Sequence, residues 1–191
     1  MRAIICAGLL VGALAVLAHE PLQPNYSTTP PTPINQADKA VYQMVGGMGC
    51  AVCHGEYGDG GESVGNNIRH SSLERLQHAF ESIPVMQGLA RAMDDDKYDA
   101  IDRYLSQLAE RQLIKVTLDR NGISHETDET LLLNVYGQLV VHNGGSDSAH
   151  ITINDEPYTV APRANVAMDI APGIAELTIT HGEEVLAITR Q

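Results

Sequence analysis

The stretch Cys50-Ala51-Val52-Cys53-His54 constrains this chain more than any other, because it sets two thiols and an imidazole at a spacing that attaches haem covalently and ligates its iron. The two sulfurs would add to the haem vinyl groups as thioethers, and His54 would offer a ring nitrogen to the iron. Two other chemistries use a Cys-x-x-Cys pair. A thioredoxin-like dithiol follows a strand in a βαβ pattern, and half of a zinc site needs a second Cys or His pair at a compatible spacing. Neither context surrounds residues 50–54, so the expected cofactor is one covalently bound haem c.

Met1-Arg2 and the apolar run Ala3 to Ala18 read as a signal peptide of residues 1–18, with Val16-Leu17-Ala18 at the cleavage site and the mature chain starting near His19. The run is shorter than the ~20 apolar residues that span a bilayer, which makes an uncleaved membrane anchor the lesser reading. Covalent haem attachment is expected on the far side of the membrane, so the expected location is periplasmic. Cys6 falls inside the signal, and beyond it only Cys50 and Cys53 carry thiols, which leaves no pair for a structural disulfide. The formal net charge of −12 disfavours a nucleic-acid partner, whose phosphates need a basic surface. It can steer the protein toward a positively charged redox partner, although solubility is the plainer reading of the acidic excess.

Residues 19–35 carry five prolines among Gln, Asn, Ser and Thr and read as an extended, Pro-rich linker. From 36 to 111 the pattern is helical. Ala40, Val41, Met44, Val45 and Met48 mark one helix face, and Gly46, Gly47 and Gly49 end it just before Cys50. Gly55 to Gly61 read as a loop. Ser71 and Glu74 suggest a capping box for a second helix with Leu73, Leu76 and Phe80 on its apolar side, stopped at Pro84. Asp94, Asp95 and Asp96 cap a third helix whose face is Tyr98, Ile101, Tyr104, Leu105 and Leu108. From 112 to 191 the texture is short alternating runs between turn residues, among them Ile114 to Leu118, Leu131 to Tyr136 and Leu139 to Val141, which predicts an antiparallel β-sandwich.

Residues from about 37 to 108 resemble a class I, monohaem cytochrome c domain: a first helix leads into Cys50-Ala51-Val52-Cys53-His54-Gly55, a glycine-rich loop follows, and Pro84-Val85-Met86 precedes an amphipathic helix carrying Tyr104-Leu105. The stretches Asn67-Ile68-Arg69 and Met86-Gln87-Gly88-Leu89 also look like the haem modules found beside dehydrogenases and oxidases. The resemblance implies a mainly-α cytochrome c domain at 36–111, and residues 112–191 loosely resemble immunoglobulin-like or cupredoxin-like sandwiches. It also implies that Met86 supplies the sixth iron ligand. Met93 is the alternative, whereas Met44 and Met48 fit a helix face and Met168 lies in a strand-like run. His70 and His78 are rival ligands in principle, and His78 reads better as a partly buried structural residue.

An iron held by His54 and Met86 has no position open to substrate and a raised potential, which suits electron transfer rather than catalysis. The expected function is an exported carrier, or haem subunit, passing single electrons to a redox protein such as a respiratory complex or dehydrogenase, with the β domain as a docking module. The alternative is a haem-based gas sensor whose β domain recognises a partner. Copper is not expected: a blue-copper site needs a thiolate, no Cys follows Cys53, and His125, His142, His150 and His181 are scattered over turns and strand ends.

Overall fold

The computed structural model describes residues 24–60, 65–126 and 130–191, so the expected signal peptide and its cleavage site lie outside the described residues. Helix α1 (Gln36–Met44) starts where the Asn35 side chain accepts hydrogen bonds from the Ala37 and Asp38 amides. A 3₁₀ turn at Val45–Gly47 follows, with Gly46 at φ 65°, and then the single turn α2 (Ala51–His54). Helix α3 (Leu73–Ser82) is capped by Ser72, one residue later than the Ser71 expected from sequence. Pro84 does more than stop α3. It opens α4 (Pro84–Ala90), where a first-turn residue needs no N–H donor. Helix α5 (Asp95–Ala109) begins with the Asp94 carboxylate accepting from the Lys97 amide.

The remainder is β: β1 (Gln112–Asp119), β2 (Gly122–Glu126), β3 (Gly137–Asn143), β4 (Ala149–Ile153), β5 (Glu156–Val160), β6 (Asn165–Ile170), β7 (Glu176–His181) and β8 (Glu184–Thr189). They form two sheets, ordered β2-β1-β3-β6 and β5-β4-β7-β8.

The expected fold class is corrected on both counts. The protein is not a mainly-α cytochrome with an appended all-antiparallel sandwich. Helix and strand take nearly equal shares of the described residues, with the helices in the N-terminal half and the strands in the C-terminal half. Strands β1 and β3 run parallel, from Gln112 opposite Gly137 to Leu118 opposite Asn143. The hairpin β1–β2 pairs Asp119 with Gly122, and the chain then returns to the starting end of β1 before β3 begins. Alternation of apolar and polar residues reveals a strand's two faces but carries no information on the direction of its neighbour.

Leu131 to Tyr136, expected as a strand, is a turn segment that buries Leu131 and Val135. Its backbone bonds go elsewhere. The Leu133 amide donates to Gln191 O at 2.6 Å and the Gln191 amide to Leu131 O at 2.7 Å, while Tyr136 N reaches Ser27 O at 2.7 Å.

Two cores share one wall. Ile114, Val116, Leu118, Leu139 and Val141 point into the sandwich against Ile151, Ile153, Leu177, Ile179 and Ile188. Val140, from the same strand β3, faces the other way and joins Tyr42, Leu76, Phe80, Ile101, Tyr104, Leu105 and Leu108, with Leu113 and Ala167 packed beside it. The helices cannot enclose their apolar faces alone, and the outer side of the first sheet completes them. Polar ties reinforce the junction. Arg111, 1% exposed, donates from Nε to Asp169 Oδ1 at 2.7 Å and from its terminal nitrogens to Asp169 Oδ2, Gln107 O and Thr32 O. Residues 24–35 run along this junction: the Ser27 amide donates to Glu110 O at 2.8 Å and the Asn35 amide to Gln107 Oε1 at 2.9 Å.

Candidate functional site

The turn that delivers Cys50 depends on glycine. Gly49 has φ 68°, and a Cβ there would lie 2.0 Å from Gln43 O, so no larger residue fits. The Cys50 amide then donates to Tyr42 O at 2.8 Å, and α2 closes with His54 N on Cys50 O at 2.9 Å. This one turn brings Cys50, Cys53 and His54 to the same cleft. The cleft is also lined by Gly49, Gly65, Asn66, Ile68, Leu76, Ile83, Val85, Met86 and Leu89, and it encloses about 800 Å³ including its open mouth. The walls are mostly apolar, as small-molecule sites require.

Whether these residues fit a covalent haem can be tested on the imidazole. His54 Nδ1 lies 2.9 Å from the carbonyl oxygen of Asn66. A carbonyl only accepts, so Nδ1 carries the proton and Nε2 keeps its lone pair for a metal. The backbone around the ring is close. A Cβ on Gly65 would come within 2.3 Å of Cys53 O and 2.7 Å of His54 Nδ1. Cys50 is buried, Cys53 and Met86 are half-buried, and the Met86 thioether adds a soft ligand to the same cleft. Two thiols, an imidazole of fixed tautomer, a thioether and apolar walls fit the group.

Other candidates lie elsewhere. Met93 packs against the helical core and is absent from the cleft lining. Met168, on β6, packs against the sandwich core. The ring of His70 stands edge-on to Tyr26 with centroids 5.7 Å apart. His78, expected to be partly buried, is exposed on α3. In the β layer, His142 Nδ1 pairs with Asn165 Oδ1 at 2.8 Å, His150 Nδ1 with Thr159 Oγ1 at 3.1 Å and His181 Nδ1 with His150 O at 3.1 Å, while His125 is exposed.

The thiols discriminate between the chemistries a Cys-x-x-Cys pair can serve. Burial pushes the Cys50 thiol up to about 11, the reverse of the lowered value that an exchanging dithiol needs. Among the described residues no three of His, Cys, Asp and Glu gather as a metal cluster, which gives the zinc reading no second pair.

The residues that support the site were not legible as such. Tyr104, read from sequence as a member of the third helix face, and Tyr42 have rings 5.0 Å apart and donate through their hydroxyls to Glu56 O and Gly55 O respectively, both at 2.8 Å. They hold the loop that leaves His54. Burial keeps both phenols protonated well above their ordinary range and pushes Tyr57 up to about 12. Arg69, 1% exposed, donates to Tyr57 O, Leu108 O, Arg111 O and Gln138 Oε1, so it ties the loop to α5 and β3 at once. Desolvation lowers its pKa to about 10, with the Asp59 charge opposing, so it stays a cation at neutral pH.

Comparison with protein-family models, curated proteins and solved structures finds no match for this chain.

Proposed function

We propose that this chain is an exported c-type haem protein that passes single electrons to a redox partner. What carries the reading is one juxtaposition: Cys50, Cys53, Met86 and an imidazole whose Nδ1 is committed to Asn66 O all line one apolar cleft. When bound, haem supplies a one-electron iron couple. Cys50 and Cys53 would hold it covalently, and His54 Nε2 and the Met86 sulfur would bind its iron. Ile68, Leu76 and Leu89 keep water from the site, and the soft thioether favours the reduced metal relative to a second imidazole. With His54 and Met86 both bound to the iron, no position would remain for a substrate, which favours a carrier over an enzyme.

A redox protein, such as a periplasmic dehydrogenase or respiratory complex, is the partner this arrangement serves. Met48, Val52, Ile83 and Val85 are exposed apolar side chains on or next to the lining residues, with Val85 at 74% exposure, and they offer it a contact surface. One observation favours a second reading, a gas sensor. Helix α4 has no fully buried side chain, so Met86 is held by partly buried contacts alone.

Two variants separate these readings. Met86→Ala is expected to abolish the weak far-red sulfur-to-iron charge-transfer band of the oxidised protein, lower the potential and admit carbon monoxide, while Met93→Ala preserves all three properties. If the wild type binds carbon monoxide and neither variant alters the spectrum, the electron carrier gives way to the sensor. Loss of haem staining on denaturing gels of correctly matured protein would refute both.

A further inference from the structure

The first sheet reaches the Cys50–His54 motif through a short series of contacts that begins at Lys115 and Asp59, outside both the motif and the cleft lining. Lys115 lies on the outer face of β1, and its Nζ stands 3.4 Å from Asp59 Oδ2, with side-chain exposures of 17% and 6%. Asp59 forms an isolated antiparallel bridge with Asn67. The segments on either side of that bridge are tied together, with the Ile68 amide on Gly58 O at 2.8 Å and the Arg69 amide on Asn67 Oδ1 at 3.0 Å. The same small ribbon holds His54 twice: the Gly60 amide donates to His54 O at 2.9 Å, and Asn66 O accepts from His54 Nδ1 at 2.9 Å.

We propose that Lys115 and Asp59 are positioning residues for the proximal imidazole, so that the β layer belongs to the iron site rather than serving only as an appended module. This rests on the reading of His54 as an iron ligand. The physical reason is the cost of an unpaired buried carboxylate. Without Lys115, the nearly buried Asp59 must turn toward water or draw water in, and either movement displaces the bridge to Asn67. The Asn66 carbonyl moves with it, and the hydrogen bond that orients His54 and increases its basicity weakens. A less basic imidazole favours the reduced iron, so the potential rises. Simple loss of a nearby cation acts in the opposite direction, because a positive charge favours the reduced site and its removal lowers the potential. The sign therefore separates positioning from bulk electrostatics.

The test uses the mature haem-loaded chain and Lys115→Met, with Lys115→Arg as the conservative variant that keeps the pair. Lys115→Met is expected to raise the midpoint potential by an amount equal to about a tenfold change in the ferrous-to-ferric ratio, the low end for losing an outer contact of a metal ligand. It should also speed exchange of the His54 Nδ1 proton and of the Gly60 and Ile68 amides, and Lys115→Arg should restore all of these. A lowered or unchanged potential with unaltered exchange would overturn the proposal. Should Lys115→Met fail to fold, Asp59→Asn is measured by the same proton exchange: faster exchange supports the proposal and unaltered exchange overturns it. If the chain carries no covalent haem, the functional reading fails on its own gel assay. In that case the amide exchange of Gly60 and Ile68 still decides whether Lys115 holds the ribbon.

Discussion

Replacing Arg69 by Met probes the shared wall directly, since the guanidinium joins the loop after His54, the end of α5 and strand β3. Its acceptors are Tyr57 O at 3.3 Å, Leu108 O at 2.6 Å, Arg111 O at 3.0 Å and Gln138 Oε1 at 2.9 Å. Leu108 O keeps a second donor in the Arg111 amide at 3.1 Å, which leaves three acceptors at stake. At roughly 1–1.5 kcal/mol for each acceptor left buried and unpaired, the loss comes to about 3–4.5 kcal/mol. Relief offsets part of it, because a cation with no carboxylate at hydrogen-bond distance and an unpartnered Nε is no longer buried. The expected net destabilisation is about 2–3 kcal/mol, a large fraction of the roughly 5–15 kcal/mol of a typical fold. Urea unfolding followed by far-ultraviolet circular dichroism measures it, together with the emission of tyrosine, since the chain has no Trp. Gln138→Leu in the Arg69→Met background should cost less than in the wild type, with a coupling on the order of 1 kcal/mol. A loss below about 0.5 kcal/mol would refute the reasoning. So would two separate transitions in the wild type, because the wall could not then be holding both cores together.

Alkaline unfolding should be steep between about pH 10 and 12. Tyr42, Tyr57 and Tyr104 all have raised folded-state pKa values, so above pH 10 the unfolded chain releases their protons first and stability falls by roughly 4 kcal/mol per pH unit for the three. The tyrosinate absorbance of these three should therefore appear together with loss of circular dichroism, and ionisation of all seven tyrosines with the circular dichroism retained would contradict it. Gly65→Ala should cost about 1–3 kcal/mol through the clash of its Cβ with Cys53 O, and should lower the yield of haem-stained protein, measured by gel and by urea unfolding.

The parts of the fold written in local pattern were readable and the parts written in contact were not. Ile114, Val116 and Leu118 announce an inward strand face, but Leu113, Lys115 and Thr117 at the alternate positions say only that the other face is mixed, and nothing local reveals that helices cover it. One signal was available. Leu139-Val140-Val141 is a continuous apolar run, the pattern of a strand covered on both faces rather than of a solvated sandwich edge. Arg69 and Arg111 were invisible because charged side chains are expected outside, and only their several backbone and side-chain acceptors make burial tolerable. In the cleft, Cys50, Cys53 and His54 were readable from spacing alone. Their supports Tyr42, Tyr104 and Asn66 act through hydroxyl and carbonyl groups that no residue pattern advertises.

The common wall also sets an order of events during synthesis. The helices leave the ribosome first, yet the surface that completes their core, Val140 and Ala167, is encoded roughly a hundred residues after Cys53, which at 5–20 residues per second is a delay on the order of ten seconds. Until strands β3 and β6 arrive, the helical core that holds Tyr42 and Leu108 lacks one of its walls. The C-terminal half is therefore a late part of the N-terminal core, and a chain cut short before β3 would leave those helices with an apolar face open to water.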